Sequence, residues 1–213
     1  MKKISNVATF LAALLLIQGC ATDKPLVKRD LASLTPLKVV RHNTPEIKIH
    51  TVGGMVLGGL LFGGFGMEAV GAARGKALRE QSSLPDYGQL VMSKVIERLP
   101  KEIPDWPRMI VEDKPVESDY VYKPGFLLAF DIDAMTRYSV GPKGFNAITS
   151  AEMHGPNGDL IWRKQFFYSQ HQSGRDRELN ELEADNAKLL KEEMDFAAEK
   201  TVTDFIEDLR RKR

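Results

Sequence analysis

The chain has 213 residues, one cysteine and a formal net charge of +1, with charged residues at 28% and the hydrophobic class at 43%. That balance excludes a disulfide-stapled mini-protein, a collagen-like chain and a wholly disordered one. It also carries no excess of basic charge that would point to nucleic acid. The length suits one domain of about 150 residues plus extra segments, and a domain of that size buries roughly two-thirds of its unfolded surface without help from metal or disulfide.

In chain order, the first segment is an address. Lys2 and Lys3 make a positive start, and Val7 to Ile17 is an apolar run of eleven residues. That length fits a signal-peptide core and is too short to span a bilayer. The run ends in Ile17-Gln18-Gly19-Cys20. These four residues resemble the lipobox of bacterial lipoproteins: aliphatic, variable, small, cysteine. The resemblance implies cleavage between Gly19 and Cys20, diacylglycerol on the Cys20 thiol and acylation of the new amino group. With Ala21 next in line, it also implies outer-membrane sorting in a Gram-negative envelope, with the domain facing the periplasm or the cell surface. The competing reading is an ordinary secretory signal with a chance cysteine. Two or more acyl chains anchor stably, because each buried CH₂ contributes about 0.8 kcal/mol. Removing residues 1–19 takes away two lysines and leaves 28 bases against 29 acids, a net charge of −1. No steering field follows from so small a charge.

Residues 20–50 read as a lipid-anchored tether punctuated by Pro25, Pro36 and Pro45. Within it, Thr35 to Val40 is a candidate short strand, and the alternating Glu46-Ile47-Lys48-Ile49-His50 is a clearer one.

Residues 51–75 form a glycine-rich apolar segment. Thr51 to Met67 carries no charge in seventeen residues, and glycine pairs recur at Gly53-Gly54, Gly58-Gly59 and Gly63-Gly64. Gly54 with Gly58, and Gly59 with Gly63, give the small-xxx-small spacing that lets helices approach closely in a membrane; Gly71 with Gly75 adds a third pair. A five-residue step turns about 140° on a helix, so these pairs circle the helix instead of lining one side. Seventeen helical residues span about 25 Å, short of the ~30 Å hydrocarbon core. Extension to Ala73 would bring in Glu68, at a cost of several kcal/mol unless paired or wet. Three readings stand: a membrane-inserted or membrane-apposed helix-packing segment, a buried glycine-rich hairpin or loop, and a disordered apolar linker. The first resembles the glycine-zipper segments of some bacterial outer-membrane lipoproteins.

Residues 76–213 read as an α+β domain. Ser83-Leu84-Pro85 opens a helix near 84–99, with Ser83 as its cap and Pro100 as its stop. Arg108 to Glu112 is a short strand candidate. An antiparallel meander then covers about 126–169, as Phe126–Val140, Phe145–His154 and Asp159–Ser169. Its two turns, Gly141-Pro142-Lys143-Gly144 and Gly155-Pro156-Asn157-Gly158, share one pattern suited to tight reversal. Alternation places Phe126, Leu128, Phe130, Ile132 and Ala134 on one face, with Asp131 and Asp133 on the other. A long C-terminal helix over 176–211, kinked at most once, carries an apolar stripe with gaps (Leu179, Leu182, Leu189, Leu190, Phe205, Leu209), has acids in its first turns and ends in Arg210-Arg211-Lys212-Arg213. That polarity complements the helix dipole. The same basic run is open to a second reading, contact with anionic headgroups.

Chemistry is sparse. Asp131 and Asp133 stand roughly 7 Å apart on one strand face, a spacing open to acid–base work or cation binding. The competing reading is a solvated face with Arg137, Glu152 and Arg163 as cross-strand partners. The four histidines are scattered and there is no second cysteine, so neither a metal site nor a cofactor is expected. A G-x-S-x-G elbow, an S-x-x-K motif and a phosphate loop after a strand are all missing from the sequence. The expectation is a non-enzymatic, lipid-anchored envelope lipoprotein, an accessory or binding component of an assembly or transport system. Its partners would be membrane lipid, through acylated Cys20, and an envelope protein. The layout resembles small accessory lipoproteins of Gram-negative envelopes. An alternative is a homo-oligomeric membrane element packed through 51–75. A third reading is an envelope hydrolase using Asp131.

Overall fold

The alternating stretches become the strands of one sheet in a computed structural model that describes residues 23–24, 34, 36–112, 114–116, 125–138 and 144–211. The strands are β1 (Leu37–Arg41), β2 (Ile47–Thr51), β3 (Met109–Val111), β4 (Phe126–Tyr138), β5 (Gly144–His154) and β6 (Leu160–Ser169). The helices are α1 (Val52–Ser82), α2 (Tyr87–Glu102) and α3 (Leu179–Arg211). The fold is α+β, with β4, β5 and β6 as the antiparallel meander and the strand order β3-β1-β4-β5-β6. Of the two turns, the first lies outside the described residues except for Gly144, which opens β5; the second closes with Gly158 N–H donating to the Gly155 carbonyl at 2.9 Å.

The sheet reaches further back than residue 76. β1 and β2 both lie parallel to β4, β1 opposite Phe126 to Phe130 and β2 opposite Ala134 to Tyr138. Leu37, Val39, Ile47 and Ile49 are buried there. The segment expected as a tether over 20–50 therefore supplies two strands. Each short apolar alternation gains little alone, but it finds the free hydrogen-bonding edge of a long strand.

One sheet face carries the core. Leu128, Phe130, Ile132 and Ala134 of β4 pack with Phe145 and Met153 of β5 and with Trp162, Phe166 and Tyr168 of β6. Phe205 of α3 is the hub. It meets Phe130 at 5.6 Å and Phe166 at 5.8 Å edge-on, and Trp162 at 5.7 Å. Such ring pairs contribute about 0.5–1.5 kcal/mol each beyond their buried area.

The helix ends depart from expectation in their details. Asp86, not Ser83, caps α2: its carboxylate accepts from Gln89 N–H at 3.2 Å and also holds Arg41 Nη1 at 2.7 Å. Ser83 stands before the helix in a left-handed conformation, φ 49°. Pro100 lies inside α2, whose last turn continues to Glu102. α3 breaks once at Ala184 to Ala187, where Asp185, Asn186 and Ala187 have φ of 48°, 58° and 55°. This break falls in the gap of the apolar stripe, and it lets Leu182 and Leu190 on its two sides both reach the core.

α1 is helical over 31 residues, yet it cannot be straight. Nineteen residues of straight helix would separate Gly71 from Val52 by about 28 Å. Instead, the Cβ position of Gly71 lies 3.0 Å from the His50 ring and 3.4 Å from the Ile49 carbonyl, next to the start of the helix. The helical stretch therefore doubles back between these points.

Candidate functional site

The returning arm of α1 runs along β2 in the direction from His50 to Ile47. Gly71 and Gly75, the third small-xxx-small pair, face the strand and not another helix. At Gly75 the approach is so close that a Cβ would stand 1.5 Å from the Ile47 carbonyl oxygen. Glu68, the first charge after the uncharged run, pairs with Lys48 of β2 at 3.1 Å. The Glu68 carboxylate, hydrogen-bonded to it, raises the Lys48 ammonium above its usual value despite some burial. Arg74 reaches Glu183 of α3 at 3.0 Å. A cleft of about 410 Å³ remains between Ile47 and the arm, edged by Glu46, Lys76, Arg79 and Glu80. Its two acids and two bases give it no dominant charge.

Gly54, Gly58, Gly59 and Gly63 all lie in the first part of α1, where the backbone is helical. Beyond Thr51, whose partner in register is Tyr138, this part leaves the sheet at the end where β2, β4 and β6 terminate. Gly19 and Cys20 lie outside the described residues, but Asp23 and Lys24 do not. Lys24 forms an antiparallel bridge with Arg163 on the outer edge of β6, with hydrogen bonds of 2.9 and 3.0 Å. The Asp23 carboxylate accepts from Gln165 N–H at 3.3 Å and pairs with Lys164. Nothing in the tether sequence signalled this contact, because two residues are too short to carry a strand pattern.

Asp131 and Asp133 sit on the sheet face opposite the core, as alternation implied. Asp131 is exposed and stands across from Ser150; Asp133 is half-buried and stands across from Ile148, with Lys48 near enough to feel its charge. Among the described residues no third acid joins them in a cluster. Arg163 is engaged elsewhere, donating to Glu152 at 2.7 Å, while His154 Nε2 meets the other Glu152 oxygen at 2.9 Å. Burial pushes the Glu152 carboxyl up, but Arg163 and His154 outweigh it and hold the group below the usual carboxylate range. The histidines stay apart: His42 lies beside β4, His50 against Gly71, and His171 on Asp176 at 2.8 Å. Among the described residues no three histidine, cysteine or acid side chains cluster as metal ligands.

Trp162 and Phe166 belong to the core, whereas Phe167 faces outward on β6 with 52% of its surface exposed. At the α3 side of β6 lies a buried polar lock that sequence reading missed. The Tyr168 hydroxyl donates to Glu193, Arg175 Nε donates to the same carboxylate at 3.0 Å, and the Arg175 guanidinium lies 4.2 Å from the Phe196 ring centre. Burial, with the Glu193 carboxylate beside it, raises the Tyr168 hydroxyl above its usual value. Tyr168 and Glu193 are buried between strand and helix, with Arg175 and Phe196 closing over them from the solvent side, which reads as structural.

Among the described residues no helix is long and apolar enough to cross a membrane. No protein-family model and no curated protein matches the sequence. A crystal structure of an uncharacterized protein is similar at 10% identity over 83% of this chain and 99% of its own, with a TM-score of 0.25. At that score the likeness carries no argument.

Proposed function

We propose that the protein is a lipid-anchored lipoprotein of the bacterial cell envelope, held by acylated Cys20, whose α+β domain acts as a non-enzymatic accessory or binding component. The observation that carries this reading is Ile17-Gln18-Gly19-Cys20 at the end of an eleven-residue apolar run, with Cys20 the one cysteine of the chain. Support from the domain is indirect. Its polar clusters pair internally, as in Glu152 with Arg163 and Glu193 with Arg175, and its two singled-out acids stand on an open strand face. That arrangement suits a surface that recognises another component better than a site that turns one over. The Ala21 residue after the lipobox favours the outer membrane as the destination.

The test is Cys20→Ser in the full chain, expressed in a Gram-negative host with radiolabelled palmitate. The expected outcome is loss of label and accumulation of the uncleaved form. A variant that is processed at the same position and still labelled removes the reading.

A further inference from the structure

We propose that the break in α3 is a sprung hinge, with a second, straight form of the domain in which Leu179 to Arg211 is one continuous helix. The hinge lies wholly within the folded domain and is independent of how the chain is anchored.

Three successive residues of the break are left-handed: Asp185 (φ 48°, ψ 50°), Asn186 (φ 58°, ψ 38°) and Ala187 (φ 55°, ψ 36°). Outside glycine this conformation is visited by single residues, mostly Asn and Asp, and each residue held there is disfavoured about 5- to 30-fold. Asp185 and Asn186 are of the tolerant type. Ala187 is not, and it is fully buried. The sequence itself does not call for a break. Leu179 to Met194 contains no glycine and no proline, and most of it is Ala, Leu, Lys and Glu, all strong helix formers. Local preference is for a straight helix, so the bend is imposed by its surroundings.

Three contacts impose it. Leu182, ahead of the break, is buried in the core. Glu183 takes Arg74 of α1 at 3.0 Å. Arg175 lies on Glu193 at 3.0 Å and over the Phe196 ring, so the chain starts back alongside α3 before it enters the hinge. In a straight helix Leu179 stands about 21 Å from Glu193, whereas the stretch from Arg175 to Leu179 reaches at most about 14 Å. Straightening therefore pulls on Arg175 as well as on Leu182 and Glu183. Relief of the left-handed turn and a continuous run of helical hydrogen bonds work in the other direction.

Glu193 holds Tyr168, next to the last residue of β6, so the straightened residues project past that end of the sheet. Leu179, Leu182 and Leu189, at spacings of three and seven, then share one side of the projecting helix. An apolar stripe of that kind seats in a hydrophobic groove of a partner. The bent form hides Leu182 and so withholds the stripe. A partner that takes the straight form shifts the balance by its preference for that form.

The test measures the distance between spin labels at Asn180→Cys and Lys200→Cys, both exposed positions, in the full chain in detergent. The labelled parent without these two thiols reports any signal from Cys20. Twenty residues of straight helix separate the labelled positions by about 30 Å, and the bent form holds them closer. The expected result is one short distance in the doubly labelled protein. Asp185→Ala with Asn186→Ala should raise a second population near 30 Å by about tenfold or more, because alanine favours the helix and resists the left-handed turn. Asp185→Gly with Asn186→Gly should show the short distance alone, because glycine accepts that turn and disfavours the helix. Both positions are exposed, so packing is unchanged in either pair. Arg175→Ala is the milder variant and should raise the long population without any change in the hinge. Near-ultraviolet dichroism from buried Trp162 checks that each variant keeps its core. If neither the alanine pair nor Arg175→Ala shows a distance near 30 Å, the hinge falls. If the glycine pair shows that distance as strongly as the alanine pair, the motion is not helix straightening and the proposal falls as well.

Discussion

Replacing Gly75 by alanine tests the helix-on-strand contact that forces α1 to double back. The new Cβ would sit 1.5 Å from the Ile47 carbonyl oxygen and 2.7 Å from its carbon, both backbone atoms of β2. To restore ordinary contact the arm must retreat by about 2 Å. That movement loosens Leu78, which is buried against the sheet, and the Gly71–His50 contact. Overpacking of this kind costs about 1–3 kcal/mol, occasionally more, while alanine for glycine in a helix returns about 1 kcal/mol. A backbone clash at this distance takes the upper end of that range, so the net expectation is a loss of about 2 kcal/mol, and in a protein of this size each kcal/mol lowers Tm by about 2–4 °C. Gly71→Ala is the internal control. Its new Cβ meets His50 side-chain atoms at 3.0 and 3.2 Å, and that ring can swing away. It should stay within about 0.5 kcal/mol of the wild type, because the helix gain offsets a mild contact. Urea and thermal unfolding of both variants in detergent read the difference. A Gly75→Ala protein as stable as the wild type, or more stable than Gly71→Ala, would refute the close approach.

Three further outcomes follow from the same geometry. Glu193→Ala strands the buried Tyr168 hydroxyl, while exposed Arg175 turns to water, and should cost about 2 kcal/mol, against about 1 kcal/mol for Tyr168→Phe, as read by thermal unfolding. Asp86→Ala removes the α2 cap and leaves buried Arg41 without its carboxylate, so it should cost more than the ~1 kcal/mol of a cap alone. Glu152 is held below the usual range in the folded state. Its contribution is therefore present above the unfolded value of about 4.3 and is lost as pH falls through the lower folded value. Urea unfolding of Glu152→Gln should show a deficit at neutral pH that shrinks below about pH 4; a deficit unchanged with pH would contradict the ion-pair account.

The meander was legible because the apolar residues Leu128, Phe130, Ile132 and Ala134, and Phe145, Ala147, Ala151 and Met153, recur with a period of two that no helix shares, and two like turns separate the strands. Phe205 and its neighbours were legible as a helical stripe. β1 and β2 were seen as short strands but not as sheet members. Five-residue runs carry no record of which partner they pair with, and parallel pairing leaves no turn signal between strand and neighbour. The Asp23–Lys24 bridge had no pattern at all. The glycine segment was read through its spacing, which suggested helix contacts in a membrane. Its third pair instead serves β2, and the doubling back depends on where Gly71 lands, a long-range fact invisible to spacing. Of the candidate residues, Asp131 and Asp133 were placed on the correct face. That no third acid clusters with them among the described residues depends on cross-strand register, which the hydrophobic pattern alone left open.

The central claim is that the chain is held to the membrane through Cys20. The most direct measurement is the intact mass of the amino-terminal peptide of the mature protein purified from envelopes. The account predicts a peptide beginning at Cys20 and carrying diacylglycerol plus an amide-linked acyl chain. An unmodified Cys20, or a mature chain that begins elsewhere, would contradict it.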